Sequence, residues 1–236
     1  MKIVNQIIHN FVKTSLLLLL IGGGGSAWAT ITYVSSTDIS ADVNGPTQMT
    51  FSADGSKMFV STWAGKKVVE YSLSTAYDPS TKGVGIIFTP VDDLQIGSVN
   101  FNSNGTQMYL LNYTGVGSRA KIRRYDISAF SLSGADTTAD YTFTASSNSG
   151  DFTPGMRFNS DGTKVYLLET DDTIVRQYNL STAYNLSTAI YSQAFNIPAS
   201  GSNGYDANPK AFTISPDGLT MYIGGASTQV VYAYSL

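Results

Sequence analysis

The sequence predicts an all-β chain, a four-bladed β-propeller with four antiparallel strands per blade and an N-terminal strand completing the last blade. Three observations predict it. A short motif recurs as Phe51-Ser-Ala-Asp-Gly55, Phe101-Asn-Ser-Asn-Gly105, Phe158-Asn-Ser-Asp-Gly162 and Ile214-Ser-Pro-Asp-Gly218. Each copy precedes an aromatic flanked by apolar residues: Met58-Phe59-Val60, Met108-Tyr109-Leu110, Val165-Tyr166-Leu167 and Met221-Tyr222-Ile223. No helical period longer than two turns follows Ala29, whereas Tyr, Phe, Val, Ile and Thr fill short runs. A self-similar unit of roughly 50 residues cannot bury both faces of its sheet alone, so its copies stack.

Within one unit, the Asp-Gly and Asn-Gly pairs tolerate the positive φ angles of tight hairpins and join two β-type runs. In blade one the strands are expected near residues 48–51, 57–61, 68–72 and 85–89. The third strand ends in Tyr71, a position repeated as Tyr125, Tyr178 and Tyr234. Then come Ser74-Thr75-Ala76-Tyr77, Ser128-Ala129-Phe130 and Ser181-Thr182-Ala183-Tyr184, whose aromatics are expected to pack between blades. The fourth unit has strands near 211–214, 221–224 and 230–234, and lacks an outer one. Ile31-Thr32-Tyr33-Val34-Ser35-Ser36 reads like such an outer strand, able to fasten the ring or to reach a neighbouring chain.

The repeated pattern resembles the YVTN/lactonase-like repeats of secreted bacterial propellers, over about 200 residues. That resemblance implies a propeller fold and a choice among lactone hydrolases, adhesive modules and surface-layer proteins. The hydrolases of this kind use acidic, arginine and histidine side chains in the central channel. This chain departs from them, since its single histidine is His9.

His9 falls in a segment that reads as a secretory signal peptide, residues 1–29. Lys2 and Lys13 flank an apolar core, and Ala27-Trp28-Ala29 matches a small-x-small cleavage site. The propeller domain is then residues 30–236, with neither histidine nor cysteine. Cleavage removes two of 14 basic residues and none of 17 acidic ones, taking the net charge from −3 to −5. An acidic chain argues against nucleic acid and anionic membrane as partners. The absence of cysteine removes disulfides and thiolate chemistry. Ser-His-Asp and Cys-His catalysis need a histidine that cleavage takes away.

The loops opposite the Asp-Gly hairpins gather exposed aromatics and carboxylates. Trp63, Tyr113, Phe152 and Tyr205 with Asp92, Asp93, Asp171 and Asp172 are the candidate ligand-binding set, suited to stacking on and hydrogen bonding to sugar rings. No catalytic residue, metal site or cofactor is expected, because no calcium-loop pattern occurs and imidazole ligands are missing. Glu70 and Glu169 are the only glutamates. Arg124, Gln177 and Ala233 stand at sites matching Glu70, which reads as solvent-facing. The run Arg119, Lys121, Arg123 and Arg124 reads as a solvated strand face. The expected function is a secreted, non-enzymatic surface module for a glycan or an extracellular protein, at the cell surface, outside the cell or in the periplasm. The alternatives are a carbohydrate-active enzyme using channel carboxylates, and a polymer subunit linked through residues 31–36.

Overall fold

The computed structural model describes residues 36–92, 95–112, 119–145, 155–170, 173–198, 208–215, 217–225 and 227–236. They form four antiparallel sheets, each ordered along the chain. Blade one holds β1 (Pro46–Phe51), β2 (Lys57–Thr62), β3 (Val68–Ser72) and β4 (Ile86–Phe88). Blade two holds β5 (Ile96–Phe101), β6 (Gln107–Asn112), β7 (Lys121–Asp126) and β8 (Tyr141–Thr144). Blade three holds β9 (Met156–Phe158), β10 (Lys164–Glu169), β11 (Ile174–Leu180) and β12 (Ala189–Asn196). Blade four holds β13 (Pro209–Ile214), β14 (Thr220–Gly225) and β15 (Val231–Ser235). The four-bladed propeller is therefore as the repeats predict. Among the described residues the fourth blade has three strands. The segment expected to complete it, residues 31–36, lies outside them except for Ser36.

Each hairpin between first and second strands is built the same way. Gly55, Gly105, Gly162 and Gly218 all lie at φ between +70° and +74°, a region open to glycine at no steric cost. The residue before each glycine folds its side chain back on the loop. Asp54 accepts from the Ser52 hydroxyl at 2.7 Å and the Ser56 amide at 3.0 Å. Asn104 and Asp161 accept likewise from Thr106 and Thr163. These bonds, the Ser52 hydroxyl first, hold the Asp54 carboxyl down at about 2. A lowered folded-state pKa means the stabilisation is complete above the ordinary carboxylate range and is lost as pH falls toward 2. Carboxyl NMR titration should therefore find Asp54 ionised at pH 3. In Ser52→Ala/Ser56→Ala it should return toward the ordinary range, and an unmoved titration would refute the turn geometry.

Three apolar cores join successive blades. Phe59, Val68 and Phe88 of blade one pack on Val99, Met108, Leu110 and Tyr125 of blade two. Tyr109, Leu111, Ile122 and Phe143 meet Val165, Leu167 and Tyr178. Tyr166, Leu168 and Val175 meet Phe212, Met221 and Ile223. Along each boundary an outer-strand phenylalanine stands on the next blade's third-strand tyrosine: Phe88 on Tyr125, Phe143 on Tyr178, Phe195 on Tyr234, at 4.9–5.2 Å between centroids. Such edge-to-face contacts add to the area they bury.

The fourth boundary differs. Ile39 and Val43, ahead of β1, cover the face of blade one formed by Met58, Val60, Val69 and Tyr71. Tyr222 is repeat-equivalent to the buried Phe59, Tyr109 and Tyr166, yet it is exposed, as is Val231 beside it. Among the described residues, blade four thus leaves one face free of an apolar core.

Candidate binding cleft

That free face forms a cleft of about 440 Å³ with the inner strands of blades one and three. Thr47 and Gln48 come from β1, Arg157 from β9, residues 210–213 from β13, and Tyr222, Gly224 and Val231 from β14 and β15. The cleft exists because its walls are trimmed. Gly224 stands where blades one, two and three carry Ser61, Leu111 and Leu168, and Ala211 is its neighbour across the ladder. A Cβ at Gly224 would already stand 3.0 Å from that of Ala211.

The polar lining is one-sided. Arg157 Nη1 donates to the Met156 carbonyl at 2.6 Å, and among the described residues no carboxylate pairs with it. Burial pulls its pKa down to about 10. Lys210 lines the same cleft, and among the described residues that line it none is acidic. A half-buried cation without a counterion is costly, and the expected compensation is an anion. Gln48 already spends its Oε1 on blade two, accepting from Ser98 Oγ at 2.6 Å and the Val99 amide at 2.9 Å. The arrangement offers hydrogen-bond donors and positive charge, the complement of a carboxylate or phosphate.

Two of the eight residues singled out from sequence are described. Trp63 is exposed on the β2–β3 hairpin, its amide held by the Gly45 carbonyl at 2.9 Å. Asp92 accepts from Arg123 Nε at 2.7 Å. The same guanidinium reaches Asn112 Oδ1 at 2.7 Å, so Asp92 helps to satisfy a buried arginine. Neither Trp63 nor Asp92 lines the 440 Å³ cleft. Tyr113, Phe152, Tyr205, Asp93, Asp171 and Asp172 lie outside the described residues.

Two readings need correction. Arg123 is not part of a solvated face: it is 8 % exposed, because Asp92 and Asn112 satisfy it inside blade two. Glu70 is not solvent-facing: it is 1 % exposed, held by Lys57 and by the Leu132 amide of blade two. Glu169 is likewise buried, bound by Arg176 Nε and Nη2. No group of three or more histidine, cysteine, aspartate or glutamate side chains gathers among the described residues.

Sequence reasoning passed over Arg157, yet a signal was present. It occupies the inner-strand position just before the motif's apolar residue. Thr50, Asn100 and Thr213 hold the matching places, so the site is polar in every repeat.

No family model matches the sequence, and no curated protein matches it. Solved structures do. A putative 6-phosphogluconolactonase from Bacteroides fragilis superposes with a TM-score of 0.54 at 16 % identity, over 80 % of this chain and 50 % of that one. The periplasmic gluconolactonase of Pseudomonas aeruginosa gives 0.52 at 14 % identity, over 79 % and 48 %. Hydrazine synthase of Kuenenia stuttgartiensis gives 0.50 at 17 % identity, over 86 % and 49 %. The chain thus spans about half the length of each. At such identities the likeness is one of fold, and the fold is a β-propeller.

Proposed function

We propose that this propeller is a binding module for a small acidic carbohydrate, which it holds by its anionic group in the cleft beside blade four. One observation carries the reading: the desolvated Arg157 has no carboxylate partner among the described residues and lines a cleft shared with Lys210. Cation pairs of this kind favour planar or tetrahedral oxyanions over neutral sugars. The signal-like first 29 residues support export, to the periplasm, the cell surface or beyond it. The ligand is then an extracytoplasmic glycan or glycan fragment.

Hydrolysis of a lactone is the second reading, favoured by the names of two fold relatives. It needs a group able to move a proton, and among the described residues the cleft lining holds neither carboxylate nor imidazole. A single experiment separates the two readings. Exported protein, its N-terminus checked by mass spectrometry to begin at Thr30, is titrated calorimetrically with gluconate, 6-phosphogluconate and glucose. The acids should bind and glucose should not. Arg157→Gln should weaken the acids at least tenfold, as loss of a desolvated charge partner does. Gly224→Leu, the side chain of blades two and three, should weaken them by filling the cleft. Equal binding of glucose would overturn the reading. Opening of gluconolactone faster than in buffer, abolished by Arg157→Gln, would establish the hydrolase instead.

A further inference from the structure

We propose that Gln48 is a specificity-determining residue of this cleft, fixed so that it offers a hydrogen-bond donor and selects ligands that present oxyanion acceptors. The inference rests on the binding reading above and deepens it.

An isolated glutamine side chain is ambiguous, since its oxygen and nitrogen exchange places by a simple flip. Here the flip is decided by the neighbour. The Val99 backbone N–H approaches the amide at 2.9 Å, and a backbone N–H only donates. The atom facing it is therefore the oxygen. Ser98 adds a second constraint. Its hydroxyl oxygen receives Asn100 Nδ2 at 2.8 Å, and its proton is then free to go to Gln48 Oε1 at 2.6 Å. The relay Asn100 to Ser98 to Gln48 runs in one direction, so both contacts place Oε1 toward blade two.

The consequence falls on the other atom. Nε2 carries two hydrogens and has no acceptor among the described residues, while Gln48 lines the cleft that holds Arg157 and Lys210. The matching positions in the other repeats are Ser98, Gly155 and Ala211, none of which reaches as far. One blade alone contributes this amide. Gln48 thereby adds a donor beside the two cations that line the cleft, and no side-chain acceptor to welcome an ammonium group. Selection against cationic ligands is built in as well as attraction for anions.

Gln48→Glu is the informative change because it is isosteric and leaves an oxygen for Val99 and Ser98. Its second oxygen replaces the donor by an anion beside Arg157 and Lys210. We expect gluconate affinity to fall at least tenfold in calorimetry, with the melting temperature within a few degrees of the parent. The new carboxylate would repel gluconate even if Gln48 were purely structural, so the amide's own role is read in the unaltered protein. A second measurement uses the unaltered protein: the Gln48 side-chain amide protons should shift downfield on gluconate titration followed by 15N NMR. Gluconate bound equally by Gln48→Glu, or a Gln48 amide that does not move while other cleft signals do, would overturn the inference and leave the binding reading standing. A parent protein that binds neither gluconate nor 6-phosphogluconate would overturn both.

Discussion

Gly105→Val and Gly162→Val should each lower the melting temperature by roughly 10 °C, whereas Gly218→Val should lower it by far less. All three glycines sit at positive φ, so each substitution carries strain of about 1–3 kcal/mol. The difference lies in what covers the turn. A Cβ at Gly105 would stand 2.2 Å from the Phe130 ring, and one at Gly162 would stand 2.3 Å from the Tyr184 ring. At Gly218 nothing lies within 4 Å. Displacing a packed ring adds about 1–3 kcal/mol, and about 1 kcal/mol moves the melting point by roughly 2–4 °C in a domain of this size. The rings cannot easily step aside. Tyr77, Phe130 and Tyr184 themselves lie at φ of 60°, 49° and 61°, and the amide of each donates to the carbonyl of the glycine that it covers. Adding Phe130→Ala to Gly105→Val should recover part of the loss. Equal melting points for the Gly105 and Gly218 variants would show that ring cover contributes nothing.

The same turns explain why the fold was legible and the site was not. Asp-Gly between two β-type runs is a local signal, since the turn needs only its own residues, and four copies in register fix the blade count. Tyr77, Phe130 and Tyr184 each cover their own blade's glycine, and Phe130 and Tyr184 also pack on the cores between blades, as the repeat spacing suggests. Tyr184 meets blade two directly, its carbonyl accepting from the Tyr109 hydroxyl at 2.7 Å. Ring chains extend these contacts, as in Phe59–Phe101–Phe130 and Tyr109–Phe158–Tyr184. The cleft depends on non-local facts. Gln48 gains a defined orientation only when Val99, 51 residues on, brings its amide alongside. Arg157 reads as one more polar strand residue until the open face of blade four is placed against it. Gly224 and Ala211 read as weak strand residues until their smallness is seen to make room.

Glu70 shows the opposite failure and supplies the other large effect. Its matching positions hold Arg124, Gln177 and Ala233, and such variety suggests water. The variety has another source: the position is buried in blades one and three, half-buried at Arg124 and exposed at Ala233, and the two buried side chains find different partners. Gln177 bonds to Asn179 and Gln193 within its own blade. Glu70 reaches across a boundary, with Lys57 Nζ at 2.5 Å on one oxygen and the Leu132 amide at 2.6 Å on the other. Glu70→Ala leaves Lys57 without its partner and the Leu132 N–H buried without an acceptor, so about 3–5 kcal/mol of stability should go. Glu70→Gln should lose less, because its amide oxygen can still accept from Leu132. Lys57→Met should also destabilise, by stranding the carboxylate. The double change Lys57→Met/Glu70→Leu removes both charges at once and should be less damaging than the sum of its single changes, which is the sign of a coupled pair. Denaturant unfolding at neutral pH measures all four variants. A Glu70→Ala protein within about 0.5 kcal/mol of the parent, the range of ordinary surface changes, would mean that the boundary between blades one and two is held by its apolar core alone.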